Sequence, residues 1–262
     1  MQHPFENVPL LLATGQGRSG TTVLTKAIAQ HPGVHSNMVE SNVMKDVLLA
    51  GRSSSTMPSR INQMVLPRTQ HDLVFRSMLL HLLFPADPSG NQTLPKALST
   101  FSAMNPEAAE FAVCAFPHIH FANIVRHGVE VVASRMVHRA LGKHSFEEHC
   151  HAWAASQEMA EWGQARNDFT LIRHESLLQE PTCRETFDRL FQDCSLPTSN
   201  AVAEYVMNKK FNQTTYAEED DTGQTDLTKR TDRWNLWSSE QQGIFVEICG
   251  STMEFFGYDL PA

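Results

Sequence analysis

Residues 10–22 read LLLATGQGRSGTT: an apolar run, a turn carrying Gly15, Gly17 and Gly20, and two threonines that open a helical pattern. A strand that passes through a glycine turn into a helix brings backbone N–H groups and a helix N-terminus onto one point, the geometry of an anion cradle. The spacing nearly fits the nucleotide-binding template of Gly, four residues, then Gly-Lys-Ser/Thr. Gly15 and Gly20 are in place and Thr22 supplies the hydroxyl, but Thr21 stands where the phosphate-gripping lysine belongs. The positive charge sits inside the loop instead, at Arg18. ATP or GTP hydrolysis is poorly served by this arrangement. A nucleotide whose transferred group is anionic, and needs no lysine-plus-magnesium clamp, is better served.

A second strand–turn–helix unit lies about a hundred residues on, in Ile119–Arg139, IHFANIVRHGVEVVASRMVHR. His120–Val125 has the bias of a strand, Arg126 closes it, Gly128 permits a tight turn, and Val132, Met136 and Arg139 have helical spacing. Strands interspersed with helices predict an α/β fold with a mainly parallel sheet, right-handed crossovers and helices on its faces. Ligand then belongs outside the carboxyl ends of the strands, where Gly15–Thr22 and Arg126 meet.

Between these anchors the pattern predicts a helix over Thr21–Gln30, and a loop followed by helix over Val34–Leu49. Gly51–Arg60, rich in serine, reads as an exposed loop. Gln70–Leu83 reads as a helix whose apolar face is Leu73, Val74, Met78 and Leu82. A short strand at Leu94–Ala97 would end near the cleft. Asn105–Ala115 is helical, with Pro106 in its first turn. Further on come a long helix over Phe146–Arg166, a strand at Phe169–Arg173, helices at Pro181–Phe191 and Ala201–Lys209, and a terminal helix over Ser238–Phe256 capped by Ser239. Gln213–Arg233 is polar and reads as a loop or lid.

At 262 residues, with 41% apolar and 19% charged residues, the chain is expected to form one domain, residues 1–262. A formal charge of −8 argues against a nucleic-acid partner. Against that background Arg18, Arg126, Arg135, Lys229, Arg230 and Arg233 concentrate near the phosphate-binding segments. The five cysteines have spacing that fits neither a zinc site nor a redox pair. Neither a secretory leader nor a membrane span is visible, so a cytoplasmic enzyme without integral membrane association is expected.

Arg18-Ser19-Gly20-Thr21-Thr22 resembles the 5′-phosphosulfate loop of the sulfotransferases that use 3′-phosphoadenosine 5′-phosphosulfate (PAPS). Arg126 and Ser134 resemble, in spacing, that family's arginine at a strand end and serine eight residues later, which grip the 3′-phosphate. In motif style the chain is most similar to bacterial and protein-tyrosine sulfotransferases. The resemblance implies a P-loop nucleotide-hydrolase-like, three-layer sulfotransferase fold. It implies transfer of a sulfuryl group from PAPS to an acceptor hydroxyl or amine, with 3′-phosphoadenosine 5′-phosphate (PAP) as product and no metal. Gly17, Arg18, Ser19, Gly20, Thr21 and Thr22 would hold the 5′ end, with Arg18 also catalytic. Arg126 and Ser134 would hold the 3′-phosphate.

The acceptor must lose a proton as it attacks, so a base is needed within hydrogen-bond reach. Glu40 resembles in location the glutamate of protein-tyrosine sulfotransferases; His71 and His118 are alternatives. Lys96, in LPKALST, stands between the two phosphate blocks, where related bacterial enzymes carry a Lys-Thr-Pro-like sequence, and is a candidate for contact with the sulfuryl group. Ile172–Pro181 resembles a segment that usually reads Arg-Tyr-Glu-Asp-Leu, with His174 and Ser176 as departures. Thr228–Trp234 is loosely similar to the C-terminal nucleotide-binding element, through which Lys229 or Arg230 would reach the 3′-phosphate. A P-loop-like kinase or nucleotide hydrolase, and a nucleotide-binding protein without catalysis, are the competing functions.

Overall fold

The computed structural model describes residues 3–40, 42–55, 68–85, 93–208 and 232–261. Five strands form one sheet: β1 (Leu10–Gly15), β2 (Val34–Glu40), β3 (Ala97–Phe101), β4 (Ile119–Val125) and β5 (Phe169–Arg173). Their order is β2-β3-β1-β4-β5 and every pairing is parallel. The helices are α1 (Thr21–Ile28), α2 (Asn42–Ser55), α3 (Arg68–Leu83), α4 (Pro106–Ala115), α5 (Gly128–Met136), α6 (Phe146–Ala154), α7 (Ser156–Gly163), α8 (Glu180–Asp193), α9 (Asn200–Asn208) and α10 (Ser239–Phe255).

A parallel sheet must be covered on both faces, and the central strands are correspondingly apolar throughout. Leu11 and Ala13 of β1, with Ala122, Ile124 and Ile172, pack against α1, α8 and α9. Leu10 and Leu12, with Leu98 and Phe121, pack against α2, α3 and α4 on the opposite face. A further cluster built on Val125, Val129, Trp153, Trp237 and Phe245 joins α5 and α6 to α10. The result is the α/β, three-layer arrangement expected. Among the described residues no helix is long and apolar enough to cross a membrane.

Five local readings are corrected. Val34–Glu40 is a strand on the sheet edge, not a loop, and α2 runs on through Gly51 to Ser55; Gly51 is buried, and a Cβ there would stand 2.3 Å from the Phe111 ring. Helix α3 forms where expected but turns the other way: Leu79, Leu80 and Leu83 are buried, while Leu73, Val74, Met78 and Leu82 are exposed. Apolar residues occupy both sides of that helix, so periodicity alone cannot choose its buried face. The long helix over 146–166 is two helices, hinged at Ala155. The cap of α10 is Ser238, whose hydroxyl accepts from Gln241 N while Gln241 reaches back to Ser238 N, a reciprocal capping box. Of the polar 213–233 segment, residues up to 231 lie outside the described residues.

Candidate active site

The glycine loop is shaped by two close approaches. Gly15 ends β1 at φ +148°, and a Cβ there would stand 2.4 Å from the carbonyl oxygen of Ile124. Gly20 precedes α1 at φ +99°, and its Cβ would stand 2.4 Å from Cδ2 of His174. Neither position admits a side chain. Arg18 lies between them at φ +79°, in the left-handed region that residues with a Cβ rarely adopt. Helix α1 has no side-chain cap and no acidic residue in its first turn. Its leading N–H groups and the positive end of its dipole therefore face the loop without a built-in anion.

The side chain of Arg18 links the glycine loop to the second strand–turn–helix unit: its Nε donates to Oγ of Ser134 on α5 at 3.0 Å. Arg126, at the end of β4, is bound by Glu130 one helical turn on, with Nε donating to Oε2 at 2.6 Å. The turn after Arg126 is held from several sides. Its carbonyl accepts from Trp153 Nε1 (3.0 Å), the N–H of His127 donates to Glu175 Oε1 (3.0 Å), and His127 Nε2 donates to the carbonyl of Asp259 (3.1 Å). Tyr258 donates to the other oxygen of Glu175 at 2.7 Å, beneath the Arg173 guanidinium, which lies 4.3 Å from the ring centroid. Arg173 and Glu175 thus support the Arg126 turn, and His174, in place of the tyrosine, packs against Gly20.

The site is crowded with positive charge. Burial, and then the neighbouring charge of Arg126, lower the pKa of Arg18. Burial lowers that of Arg233 as well, with Glu130 opposing and Arg126 adding to the effect. Arg233 therefore belongs to the same cluster, in which, among the described residues, Glu130 is the carboxylate that opposes its shift. Such a cluster is stabilised by an anion. Trp234 next to it anchors the terminal helix: its carbonyl accepts from Gln242 Nε2 (3.0 Å) and its ring meets Phe245 edge-on.

The other sequence candidates are not gathered here. Lys96 precedes β3, its N–H donating to Gly33 O at 2.9 Å, at the amino end of the sheet. The strand of five residues separates it from the carboxyl end by ~17 Å, so strand direction does not bring Lys96 to the glycine loop. His118 is at the same wrong end, its carbonyl accepting from Leu10 N. His71 lies in the α2–α3–α4 layer, bonded through Nε2 to Ser54 Oγ at 2.6 Å and packed on Phe75 and Phe111. Glu40 pairs in register with Phe101, at the carboxyl end of β3, so its backbone is on the ligand side of the sheet. Lys229 and Arg230 lie outside the described residues. Sequence reasoning left out Glu130 as a support; the i,i+4 spacing of Arg126 and Glu130 was the available signal.

Fold and loop together define a parallel α/β sheet whose central strand runs through a glycine loop into the N-terminus of a helix, at the carboxyl end of the sheet. The chain belongs to the Sulfotransferase family, whose model matches residues 9–200. Its fold is similar to the sulfotransferase domain from the Synechococcus PCC 7002 olefin synthase, at a TM-score of 0.59 and 14% identity over 99% of both chains. It is similar to the sulfotransferase domain from the curacin biosynthetic pathway, at 0.55 and 16% over 97% of this chain and 99% of that one. Mouse sulfotransferase SULT7A1 complexed with PAP gives 0.51 and 11% over 95% of this chain and 84% of that one. No individual curated protein matches the sequence significantly.

Proposed function

We propose that this sulfotransferase takes its sulfuryl group from PAPS and transfers it to a hydroxyl or amine acceptor, releasing PAP. The observation that carries the reading is the Arg18 Nε–Ser134 Oγ bond, which joins a 5′-phosphate loop to a 3′-phosphate helix. A nucleotide with phosphates on both sides of its ribose matches two cationic subsites that touch. The PAP held by the mouse relative is in keeping with this.

In this reading the amides of Ser19–Thr22 and the guanidinium of Arg18 hold the 5′-phosphate and balance the charge that gathers on it as the sulfuryl group departs. Arg126 and Ser134 hold the 3′-phosphate, joined by Lys229 or Arg230. Glu40 removes the acceptor proton, and no metal takes part. The five cysteines are all free thiols, which suits a reducing, cytoplasmic setting.

Calorimetry tests the donor: PAP should bind more tightly than 5′-AMP or ATP, and equal affinity for 5′-AMP would remove the 3′-phosphate assignment. Transfer from PAPS to a panel of hydroxyl and amine acceptors should persist in chelator. For the base, Glu40→Gln should keep nucleotide affinity and lower turnover about a hundredfold; unchanged turnover would reject Glu40.

A further inference from the structure

Arg135 follows Ser134 on α5, and its guanidinium is directed at the glycine loop. Nη1 lies 3.8 Å from where a Cβ of Gly17 would be, so the absence of a side chain at Gly17 leaves the approach open. The Nε of Arg135 donates to Nδ1 of His149 on α6 at 3.4 Å. His149 is 1% exposed, and its Nε2 is buried without a hydrogen-bond partner among the described residues. Arg135 is itself half-buried and enters none of the ion pairs formed among the described residues.

This arrangement differs from that of Arg126, whose charge is met by Glu130. Arg18 and Arg135 approach the loop on neighbouring residues, Arg18 and Gly17, and among the described residues neither is paired with a carboxylate. Half-buried guanidinium groups in that condition are costly until an anion arrives. His149 adds orientation. Its Nδ1 must carry a lone pair to accept from Arg135, so the ring is neutral, and the accepted bond fixes Nε while leaving both terminal nitrogens of Arg135 for another acceptor. Burial, followed by the charges of Arg135 and His144, lowers the pKa of His149, with Glu148 opposing. The neutral form is therefore the stable one.

We propose that Arg135, positioned by His149, is a second guanidinium for the 5′-phosphate end of the nucleotide, joining Arg18 at the glycine loop. The proposal rests on the donor reading above. It makes the 5′ subsite a two-arginine clamp, a bidentate counterpart to the lysine that the loop lacks.

The test is calorimetry with PAP, 5′-AMP and adenosine 3′-phosphate. Arg135→Ala should weaken PAP and 5′-AMP about tenfold to a hundredfold and leave adenosine 3′-phosphate, which lacks the 5′ group, unchanged. Arg126→Ala should show the complementary pattern, weakening PAP and adenosine 3′-phosphate. Arg135→Lys, which keeps the charge and the packing of the stem, should recover only part of the loss. His149→Asn retains an acceptor for Arg135 but does not titrate. As pH falls well below the ordinary histidine pKa of 6.5, the wild type should lose more PAP affinity than His149→Asn does, because protonation of His149 removes the lone pair that holds Arg135. Unchanged PAP affinity in Arg135→Ala, or an equal loss for all three nucleotides, would overturn the proposal, the latter assigning Arg135 to structure. If the wild type instead fails to prefer PAP over 5′-AMP, the donor reading falls, and the response of 5′-AMP to Arg135→Ala still decides the role of Arg135.

Discussion

Arg18 and Ser134 are 116 positions apart in sequence and 3.0 Å apart in space, with the arginine Nε donating to the serine hydroxyl. The bond couples a strained loop residue to the second turn of α5. Any ligand that recruits Arg18 has to compete with Ser134 for it or bind both together.

The strain at Arg18 separates its structural from its chemical contribution. Arg18→Ala should lower sulfuryl transfer about a hundredfold, the usual loss for one preorganised donor. Arg18→Gly should be as inactive, yet more stable than Arg18→Ala by ~1 kcal/mol, because φ +79° suits glycine. For a chain of this length that is roughly 2–4 °C in thermal melting. Glycine and alanine variants that melt together would remove strain from the account of the loop.

Ser134→Ala removes a hydroxyl that Arg18 shares with the proposed 3′-phosphate subsite. The ratio of PAP to 5′-AMP affinity should drop about tenfold, while binding of 5′-AMP alone is little changed. A loss of equal size for both nucleotides would show that Ser134 acts on the loop and not on the 3′-phosphate.

The Arg126 turn depends on the C-terminal segment through Glu175. Tyr258→Phe deletes the 2.7 Å bond to Glu175 Oε2 and leaves the ring packing in place. Stability should fall by about 1–2 kcal/mol, with a parallel weakening of PAP binding as the His127 amide loosens. Denaturant titration and calorimetry on the same variant test the coupling; a loss of stability with unaltered PAP affinity would confine Tyr258 to the core.

Stability should decline on mild acidification. His120 is buried, and its Nε2 donates to Thr170 Oγ1 (2.8 Å), which in turn donates to Asp193 Oδ2 (2.9 Å). Burial lowers its pKa below the ordinary 6.5, with Asp193 and Asp168 opposing. His3 and His149 are lowered as well, each by burial first. In the unfolded chain these rings take up protons near their ordinary pKa; folded, they do so only at lower pH. The unfolded state then binds more protons as pH falls through that window, and stability drops. The melting temperature should decrease between about pH 7.5 and about pH 5.5, and His120→Gln should flatten the slope. A flat or rising wild-type profile would contradict the assignment.

Thiol reactivity should single out Cys114. It is exposed, whereas burial pushes Cys183 up to about 11 and Cys194 up to about 12, and Cys150 and Cys249 are buried. Ellman's reagent should titrate one thiol rapidly in the native protein and all five after unfolding. Several fast native thiols would show that these burials are not maintained in solution.

What could be read from the chain by itself was what is local. The strand–loop–helix around Arg18, the strand–turn–helix around Arg126 and the strand Phe169–Arg173 are contiguous, and glycine, apolar runs and helical spacing act over a few residues. Their parallel association followed from the alternation of strands and helices. Three kinds of information came only from tertiary structure. Direction along the sheet decided that Lys96 and His118 stand at the amino ends of the strands, away from the loop. Packing partners decided which side of α3 is buried, because both sides carry leucines. Distant pairings decided which charges remain uncompensated: Glu130 meets Arg126, Glu175 is taken by His127 and Tyr258, and Arg135 is held by a neutral histidine. A residue's neighbours in sequence set its backbone preferences, but its electrostatic surroundings are assembled by the fold.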